Sequence, residues 1–312
     1  MKYVNAINDL LKEQVSAKKN LVLFGQNIST GSCLGGFTRG LEPGEGGMVI
    51  NTPNSENTLT GVGFGLMMGG VPSVFFMKQL DFLLLGIDHL ANTYNFIRTK
   101  HPDTSFTIMP AVVDSGFQGP QSSLNNLADF CSISNTLGYS ITNIRDAKEI
   151  ISSQLTSPGF RIIGLSIRLF GQEILDPGEP LSRKDCDWFQ YSDGEDVTVA
   201  CFNFSLPQGM DLQARLAEAG LGCSLFSVNS ATPSDWEGIA ASAARTKNLV
   251  VLDDSKSANS PCWHLSSSVL SQSSGVRVKS VLRERSDEWY SPSSEVFEPD
   301  YQSIIDWLTE AR

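Results

Sequence analysis

Apolar runs and helical segments alternate along the first half of the chain, and this alternation constrains the fold more than any other feature. The apolar runs have the length and the Val, Ile and Phe content of buried strands. They lie at residues 21–24, 74–77, 105–113, 139–141 and 161–167. Helices are predicted over 5–15, 58–69 and 82–98, and from about 123 and 146 onward. Strands separated by helices of this size favour a mostly parallel sheet covered on both faces, which is an α/β fold.

A second unit of the same kind follows a polar segment. Residues 173–195 are polar and contain two prolines, which predicts an interdomain linker. Beyond it, strands are predicted at 196–202, 223–228, 248–253 and 276–281, with helices between them and a short helix from 301. We therefore predict two doubly wound α/β domains, residues 1–172 and 196–312, joined by this linker.

Composition excludes several classes of protein. Hydrophobic residues make up 41% of the chain and charged residues 18%, which is typical of a globular protein. The net charge of −11 argues against nonspecific binding to nucleic acid. No apolar run approaches the ~20 residues that cross a bilayer, and the polar N-terminus predicts no secretory signal. The six cysteines are scattered without metal-type pairing, which is typical of reduced thiols in a cytoplasmic protein.

Glu56 stands at the start of a segment that carries no charge. Residues 57–77 contain no Asp, Glu, Lys or Arg, and residues 61–70 are rich in glycine. A carboxylate at the mouth of a buried helix is costly unless a donor hydrogen-bonds to it. Two interpretations are open: the acid complements the helix dipole, or it has a function.

The order of residues around Glu56 resembles the pyrimidine-binding domain of thiamine diphosphate enzymes. The closest likeness is to the beta subunit of the first component of pyruvate dehydrogenase and its relatives, which carry Thr-Pro-Ile-Ser-Glu, a small-residue helix, a strand, an Asp-Phe or Asn-Phe pair and Ile-Asp-Gln. Here residues 52–56 are Thr-Pro-Asn-Ser-Glu, Asp81 and Phe82 form the pair, and residues 87–89 are Ile-Asp-His. Residues 196–312 resemble the C-terminal domain of transketolases. The resemblance implies two domains, a pyrimidine-binding domain with a mostly parallel sheet and then this C-terminal domain.

The resemblance also implies roles for three residues. Glu56 is expected to be the catalytic residue, since the family glutamate hydrogen-bonds the aminopyrimidine ring of thiamine diphosphate and activates the cofactor. Ser55 is expected beside it at the cofactor. Phe82 is expected to stack on the pyrimidine, a contact of roughly 0.5–1.5 kcal/mol beyond burial; the alternative is an ordinary core phenylalanine.

Three further residues are candidates for contact with substrate or with a subunit interface. His89 stands where the family often has Gln, and its alternative role is a structural hydrogen bond. Gln121 and Ser122 fall where the dehydrogenase relatives have His-Ser-Gln, and Ser122 takes the place of the histidine that helps handle substrate or lipoamide. This difference from the family pattern argues against an ordinary pyruvate dehydrogenase beta subunit.

The diphosphate half of such a site is missing from the sequence. Its family signature is Gly-Asp-Gly with a downstream Asn, whereas the only Asp-Gly here, Asp193-Gly194, follows a serine in the predicted linker. We therefore predict no metal ligand in this chain. The resemblance implies that Mg²⁺ and the diphosphate are held by a separate alpha-type chain, with which this chain shares the thiamine diphosphate.

Together these features predict the beta-type subunit of a two-component thiamine diphosphate-dependent transferase or lyase. The reaction would be transketolase-like ketol transfer or decarboxylative carboligation of a 2-oxo acid. Two alternatives stay open: the beta subunit of a 2-oxo acid dehydrogenase first component, and a non-catalytic scaffold. The resemblance further implies a homodimer of this chain within an α2β2 tetramer, for which the apolar residues 83–96 are the candidate patch. The sequence names neither the donor nor the acceptor substrate.

Overall fold

The first half of the chain forms a six-stranded parallel sheet. The computed structural model describes residues 1–100, 102–115, 124–283 and 296–310. The strands of this sheet are β1 (Val22–Gly25), β2 (Met48–Asn51), β3 (Ser73–Met77), β4 (Ser105–Val112), β5 (Leu137–Ile141) and β6 (Gly159–Ser166). Their order across the sheet is β2-β1-β3-β4-β6-β5, and every pairing is parallel.

Helices cover both faces of this sheet. They are α1 (Tyr3–Ala17), α2 (Glu56–Met68), α3 (Tyr94–Ile97), α4 (Leu127–Ser134) and α5 (Ile144–Gln154). One face packs on α1 and α5, because α1 presents Ile7, Leu11 and Val15 at helical spacing. The other face packs on α2 and α4 around the aromatic rings of Phe64 and Phe106. The predicted sheet, buried on both faces, is therefore present.

The second half forms a mixed sheet of six strands. These are β7 (Ser182–Lys184), β8 (Trp188–Gln190), β9 (Val197–Phe202), β10 (Cys223–Val228), β11 (Asn248–Asp253) and β12 (Arg277–Leu282), in the order β12-β11-β9-β10-β8-β7. The helices are α6 (Leu206–Glu218), α7 (Glu237–Thr246), α8 (Pro261–Gln272) and α9 (Tyr301–Thr309). The predicted α/β class with two sheets is confirmed. Among the described residues, every helix is too short or too polar to cross a membrane.

Part of the predicted linker belongs to the second sheet. Strands β7 and β8 lie within residues 173–195 and pair antiparallel with each other, and β8 pairs antiparallel with β10. The apolar side chains of Trp188 and Phe189 explain this, since both are buried. A free connection is therefore the wrong description of residues 182–190, and the boundaries of the domains stay a prediction.

The helix predicted over residues 82–98 is broken into short turns. Leu80–Gly86 is a 3-10 helix, His89–Thr93 is a π-helical turn, and α3 is followed by a 3-10 turn at Arg98–Lys100. Leu80–Gly86 packs closely against α2. A Cβ at Gly86 would lie 2.5 Å from Thr60 Oγ1, and this close approach suits the tighter 3-10 geometry.

The two halves meet through the carboxyl ends of their strands. Arg168, which follows β6, forms ion pairs with Asp114 after β4 (Nε–Oδ2 3.0 Å) and with Asp254 after β11 (Nη2–Oδ2 3.5 Å). All three side chains are nearly buried. Phe204, after β9, packs into the apolar core of the first half. The contact between the halves is therefore both apolar and ionic.

Candidate functional site

The carboxyl end of β1 is the topological switch point of the first sheet. The chain passes from β1 to β2 on one side and then to β3 on the other, so a crevice opens between their connections. Open α/β sheets bind ligands at such points. Gly25 ends β1 with a φ of 149°, and a Cβ there would overlap the carbonyl oxygen of Phe76. The tight crossing at this point therefore requires glycine.

Ser55 and Glu56 lie on the β2 side of the crevice. Glu56 is the first residue of α2, and Ser55 precedes it at the N-cap position. The Ser55 hydroxyl donates to Thr58 Oγ1 (2.9 Å) and caps no backbone N–H. Glu56 is half-buried, and its carboxylate makes no hydrogen bond or ion pair within the part of the chain that the structure describes. The carboxylate is available to a ligand and also lies where it complements the dipole of α2.

Phe82 lies on the β3 side of the same crevice. It belongs to the 3-10 helix Leu80–Gly86 that follows β3, and its half-buried ring packs at the margin of the α2 core. The neighbouring Asp81 is buried and accepts a hydrogen bond from the Leu124 N–H (2.9 Å). Asn57 Nδ2 donates to the Leu85 carbonyl (3.0 Å), which ties the start of α2 to this segment. The structure thus brings Ser55, Glu56 and Phe82 to one edge of the sheet.

His89 makes a local hydrogen bond. Its Nδ1 lies 2.9 Å from Thr93 Oγ1 within the π-helical turn. Its ring lies over Gly61 of α2, where a Cβ would come within 2.9 Å of Nε2. This arrangement favours the structural alternative, and contact of His89 with substrate or a subunit interface stays a prediction. Gln121 and Ser122 lie outside the described residues.

Reasoning from the sequence missed the buried polar network between the two halves. Burial, together with the neighbouring Asp114 carboxylate, raises the pKa of Asp254 to about 7. Asn125, fully buried, bonds to this network through its side chain. A signal was present in part, because Asp114 and Asp254 each follow an apolar strand, and the carboxyl ends of parallel strands share an edge.

Other features of the described residues lie away from the crevice. A groove of about 660 Å³ runs beside the amino ends of β5 and β6, and none of the predicted site residues lines it. Within residues 1–100, 102–115, 124–283 and 296–310, no group of three His, Cys, Asp or Glu side chains gathers that could hold a metal ion.

Known proteins resemble this chain at low sequence identity. No family model matches the chain. It is 22% identical over 277 residues to the pyruvate dehydrogenase E1 component subunit beta-1, mitochondrial, of Arabidopsis thaliana, covering 86% of this chain and 76% of that protein. It is 24% identical over 271 residues to the pyruvate dehydrogenase E1 component subunit beta of Staphylococcus aureus, covering 82% of this chain and 80% of that protein.

A solved structure extends the likeness to nearly the whole chain. A split-gene transketolase solved as an inactive beta4 tetramer superposes with a TM-score of 0.74 at 16% identity, covering 98% of this chain and 96% of that one. The resemblance inferred from residues 52–89 is confirmed as distant homology to E1 beta subunits and as a match to the fold of this transketolase subunit.

Proposed function

We propose, from the distant homology to pyruvate dehydrogenase E1 beta subunits, that this chain is the pyrimidine-binding, beta-type subunit of a two-component thiamine diphosphate enzyme. The observation that supports it most is the half-buried carboxylate of Glu56 at the switch point, which has no partner among the described residues. A carboxylate that only complements a helix dipole needs no such crevice beside it.

The residues at the crevice fit one half of the cofactor. Glu56 would hydrogen-bond the aminopyrimidine and hold a proton at the ring, while the half-buried Phe82 would stack on its face. Ser55 would lie beside the ring as a hydroxyl group. When bound, thiamine diphosphate supplies a nucleophilic carbon that adds to a carbonyl group.

The proposal assigns the diphosphate and Mg²⁺ to a separate alpha-type chain. The reason lies in the sequence, where the Gly-Asp-Gly signature is absent. In the assembled enzyme, two such chains of each kind would form an α2β2 tetramer. The shared site would then be closed to water only where the two kinds of chain meet, so neither would be active alone.

The proposed reaction makes or breaks a carbon–carbon bond next to a carbonyl. Ketol transfer and decarboxylative carboligation of a 2-oxo acid both suit Ser122 in place of the family histidine. A role as a 2-oxo acid dehydrogenase beta subunit is the second candidate, because the matched relatives carry that name. A non-catalytic role is the third, since the matched transketolase structure is an inactive beta4 tetramer.

Cofactor titration tests the split site. We expect isothermal titration of the lone chain with thiamine diphosphate and magnesium to show no micromolar binding. The same titration of the chain co-purified with its alpha-type partner should show it. A carboligation assay on 2-oxo acids and ketose phosphates then separates the reactions. Micromolar binding by the lone chain would contradict the split site, and no binding by the complex would contradict the proposed function.

Substitution of Glu56 tests the catalytic role. In the complex, Glu56→Gln should slow hydrogen–deuterium exchange at the thiazolium carbon by about 100-fold or more, because the amide cannot hold the proton. Glu237→Gln is a matched control, since Glu237 also stands in the first turn of a helix and is exposed. Both changes should alter the free energy of unfolding by only about 0.3–1 kcal/mol. Equal exchange rates in the two variants would assign Glu56 to the dipole alone.

A further inference from the structure

The second sheet has its own switch point, and a residue from the first half of the chain enters it. The chain passes from β9 to β10 on one side and to β11 on the other, so a crevice lies at the carboxyl ends of β9 and β11. Asn203 and Asp254 are the first residues after these two strands. This is the place where an open α/β sheet usually binds a ligand. Here Asn125, from the first half, occupies it.

Asn125 is bound on three sides by the second half. Its Nδ2 donates to the Asp254 carbonyl (2.9 Å), and its Oδ1 accepts from Asn203 Nδ2 (2.8 Å). Its own carbonyl accepts from the Lys256 N–H (2.9 Å). The side chain is fully buried, so these bonds take the place of hydration. A surface asparagine that merely touched a neighbouring domain would keep part of its hydration.

The partners of Asn125 are themselves held in place. Asp254 Oδ1 accepts from Asn203 Nδ2 (2.7 Å) and from the Phe204 N–H (2.9 Å). Arg283 Nε donates to the same Asp254 carbonyl that accepts from Asn125 (2.9 Å). Because each group in the network is fixed by a second bond, the binding crevice is preorganised for one amide side chain.

The residue before Asn125 reaches the candidate cofactor site. The Leu124 N–H donates to Asp81 Oδ1, and Asp81 directly precedes Phe82. Two consecutive residues therefore join the second half of the chain to the segment that carries the aromatic ring. This segment is the 3-10 helix Leu80–Gly86, whose other side packs on α2.

We propose that Asn125 is a positioning residue, held as an internal ligand in the switch-point crevice of the second half, and that it thereby fixes Asp81 and Phe82 at the cofactor edge. The second half of the chain would then act as a clamp on the site and not as a separate binding domain. The effect on cofactor binding rests on the proposed function; the mechanical effect on Leu80–Gly86 does not.

Amide hydrogen exchange of the full chain tests the clamp. We expect Asn125→Ala to speed exchange about 10-fold or more in peptides covering residues 80–86 and 124–126, with no change in strands β3 and β10. Asn126→Ala is the matched control, because within the described residues Asn126 Nδ2 donates only to Asp129 at the start of α4. Faster exchange limited to residues 124–126 would overturn the proposal.

A second variant keeps the test sound if Asn125→Ala fails to fold. Asn203→Gly removes the side-chain amide that bonds Asn125 and Asp254, and it tolerates the positive φ of 58° at this position. It should reproduce faster exchange in residues 80–86. If exchange there stays at the wild-type rate, the second half does not act as a clamp.

Titration of the co-purified complex with thiamine diphosphate gives a second readout. Asn125→Ala should weaken binding about 10-fold while Asn126→Ala leaves it unchanged, since a loosened Phe82 loses its fixed stacking position. If wild type binds no cofactor, the proposed function fails, and hydrogen exchange still decides the clamp. Wild-type affinity in Asn125→Ala would contradict the inferred effect on the site.

Discussion

At the scale of single residues, Arg161 shows how a buried charge can be held without an ion pair. The residue is 1% exposed, and its guanidinium makes no ion pair within the described residues. It donates to the carbonyls of Gln154 (2.8 Å), Ser157 (2.6 Å) and Pro158 (2.6 Å) at the end of α5. Burial lowers the pKa of Arg161 to about 10, which still leaves it charged at neutral pH. The negative end of the helix dipole is its counter-charge.

Arg161→Met should therefore be costly. It removes the charged donor from three partly buried carbonyls, and we expect a loss of about 2–4 kcal/mol in the free energy of unfolding. Arg245→Met is the control, because Arg245 is partly exposed and pairs with Asp193 and Glu195 at the surface, which predicts a loss of about 1 kcal/mol or less. Urea unfolding measures both. Similar losses would mean that the carbonyls find other donors.

The residues of the candidate site differ in how far the sequence could reveal them. Glu56 and Phe82 stand in local motifs whose order along the chain predicted the site, and both lie at the same edge. Asn125 stands in no motif. Its partners, Asn203 and Asp254, lie about 80 to 130 residues further along the chain, and only folding brings them together. A contact between distant segments leaves no periodic signal in the sequence.

At the scale of elements, the glycines of α2 differ in what they pack against. A Cβ at Gly63 would overlap the ring of Phe106, whereas a Cβ at Gly65 would meet nothing within 4 Å. The two glycines lie two residues apart on one helix, so they point to different sides. The packing of the chain therefore requires glycine at position 63 but not at position 65.

The two positions should respond to alanine in opposite directions. Gly63→Ala is expected to lower the free energy of unfolding by about 1–3 kcal/mol, because Phe106 must move in a packed core. Gly65→Ala should raise it by about 0.5–1 kcal/mol, since alanine favours the helix. Thermal and urea unfolding of the lone chain measure both. A stabilising Gly63→Ala would show that the helix can shift away from the sheet.

Sequence patterns predicted the elements whose residues are buried along their whole length. Strands β3 and β4 are buried along their whole length and were predicted closely. Strand β2 was missed, since it has four residues at the sheet edge and most of them are exposed. The helix predicted over residues 82–98 is broken into turns, because apolar content indicates burial and carries no information on the hydrogen-bond pattern of a helix.

At the scale of the whole molecule, the buried carboxyl group of Asp254, between the two halves, makes stability depend on pH. The pKa of Asp254 is raised from 3.8 to about 7 in the folded chain, so the folded state binds a proton that the unfolded state releases. Stability from this group is therefore greatest below pH 4 and falls as pH rises toward 7. The groups that face Asp254 are Asp114, Arg168 and Arg283.

Asp254→Asn should remove this dependence. We expect the difference in unfolding free energy, wild type minus variant, to fall steadily between pH 4 and pH 7. Urea titrations of both proteins at several pH values measure this difference, in which the contributions of the other carboxylates to stability cancel. A difference that rises with pH would mean that the ion pair with Arg168 dominates and lowers the pKa.

Assembly is the property on which the proposed enzyme depends. Among the apolar residues 83–96, the side chains of Leu84, Leu85 and Phe96 are 52%, 59% and 64% exposed. Exposed apolar side chains of this size are typical of a protein interface, and a permanent interface buries about 2,000 Å² or more. Leu84 and Leu85 lie on the segment that carries Phe82, so a subunit bound there would also cover the candidate site.

The double substitution Leu84→Ser/Leu85→Ser should therefore disrupt the tetramer and spare the fold. In the co-purified complex we expect light scattering to change from an α2β2 mass toward a 1:1 pair, because each leucine loses an apolar partner across the homodimer contact. Unfolding of the lone chain should change by no more than about 0.5 kcal/mol, since both side chains are already exposed. Leu181→Ser, at a leucine that is 62% exposed on the second half, is the control and should leave the tetramer intact. A stable 1:1 pair in wild type, or an unchanged tetramer in the double variant, would place the homodimer contact elsewhere.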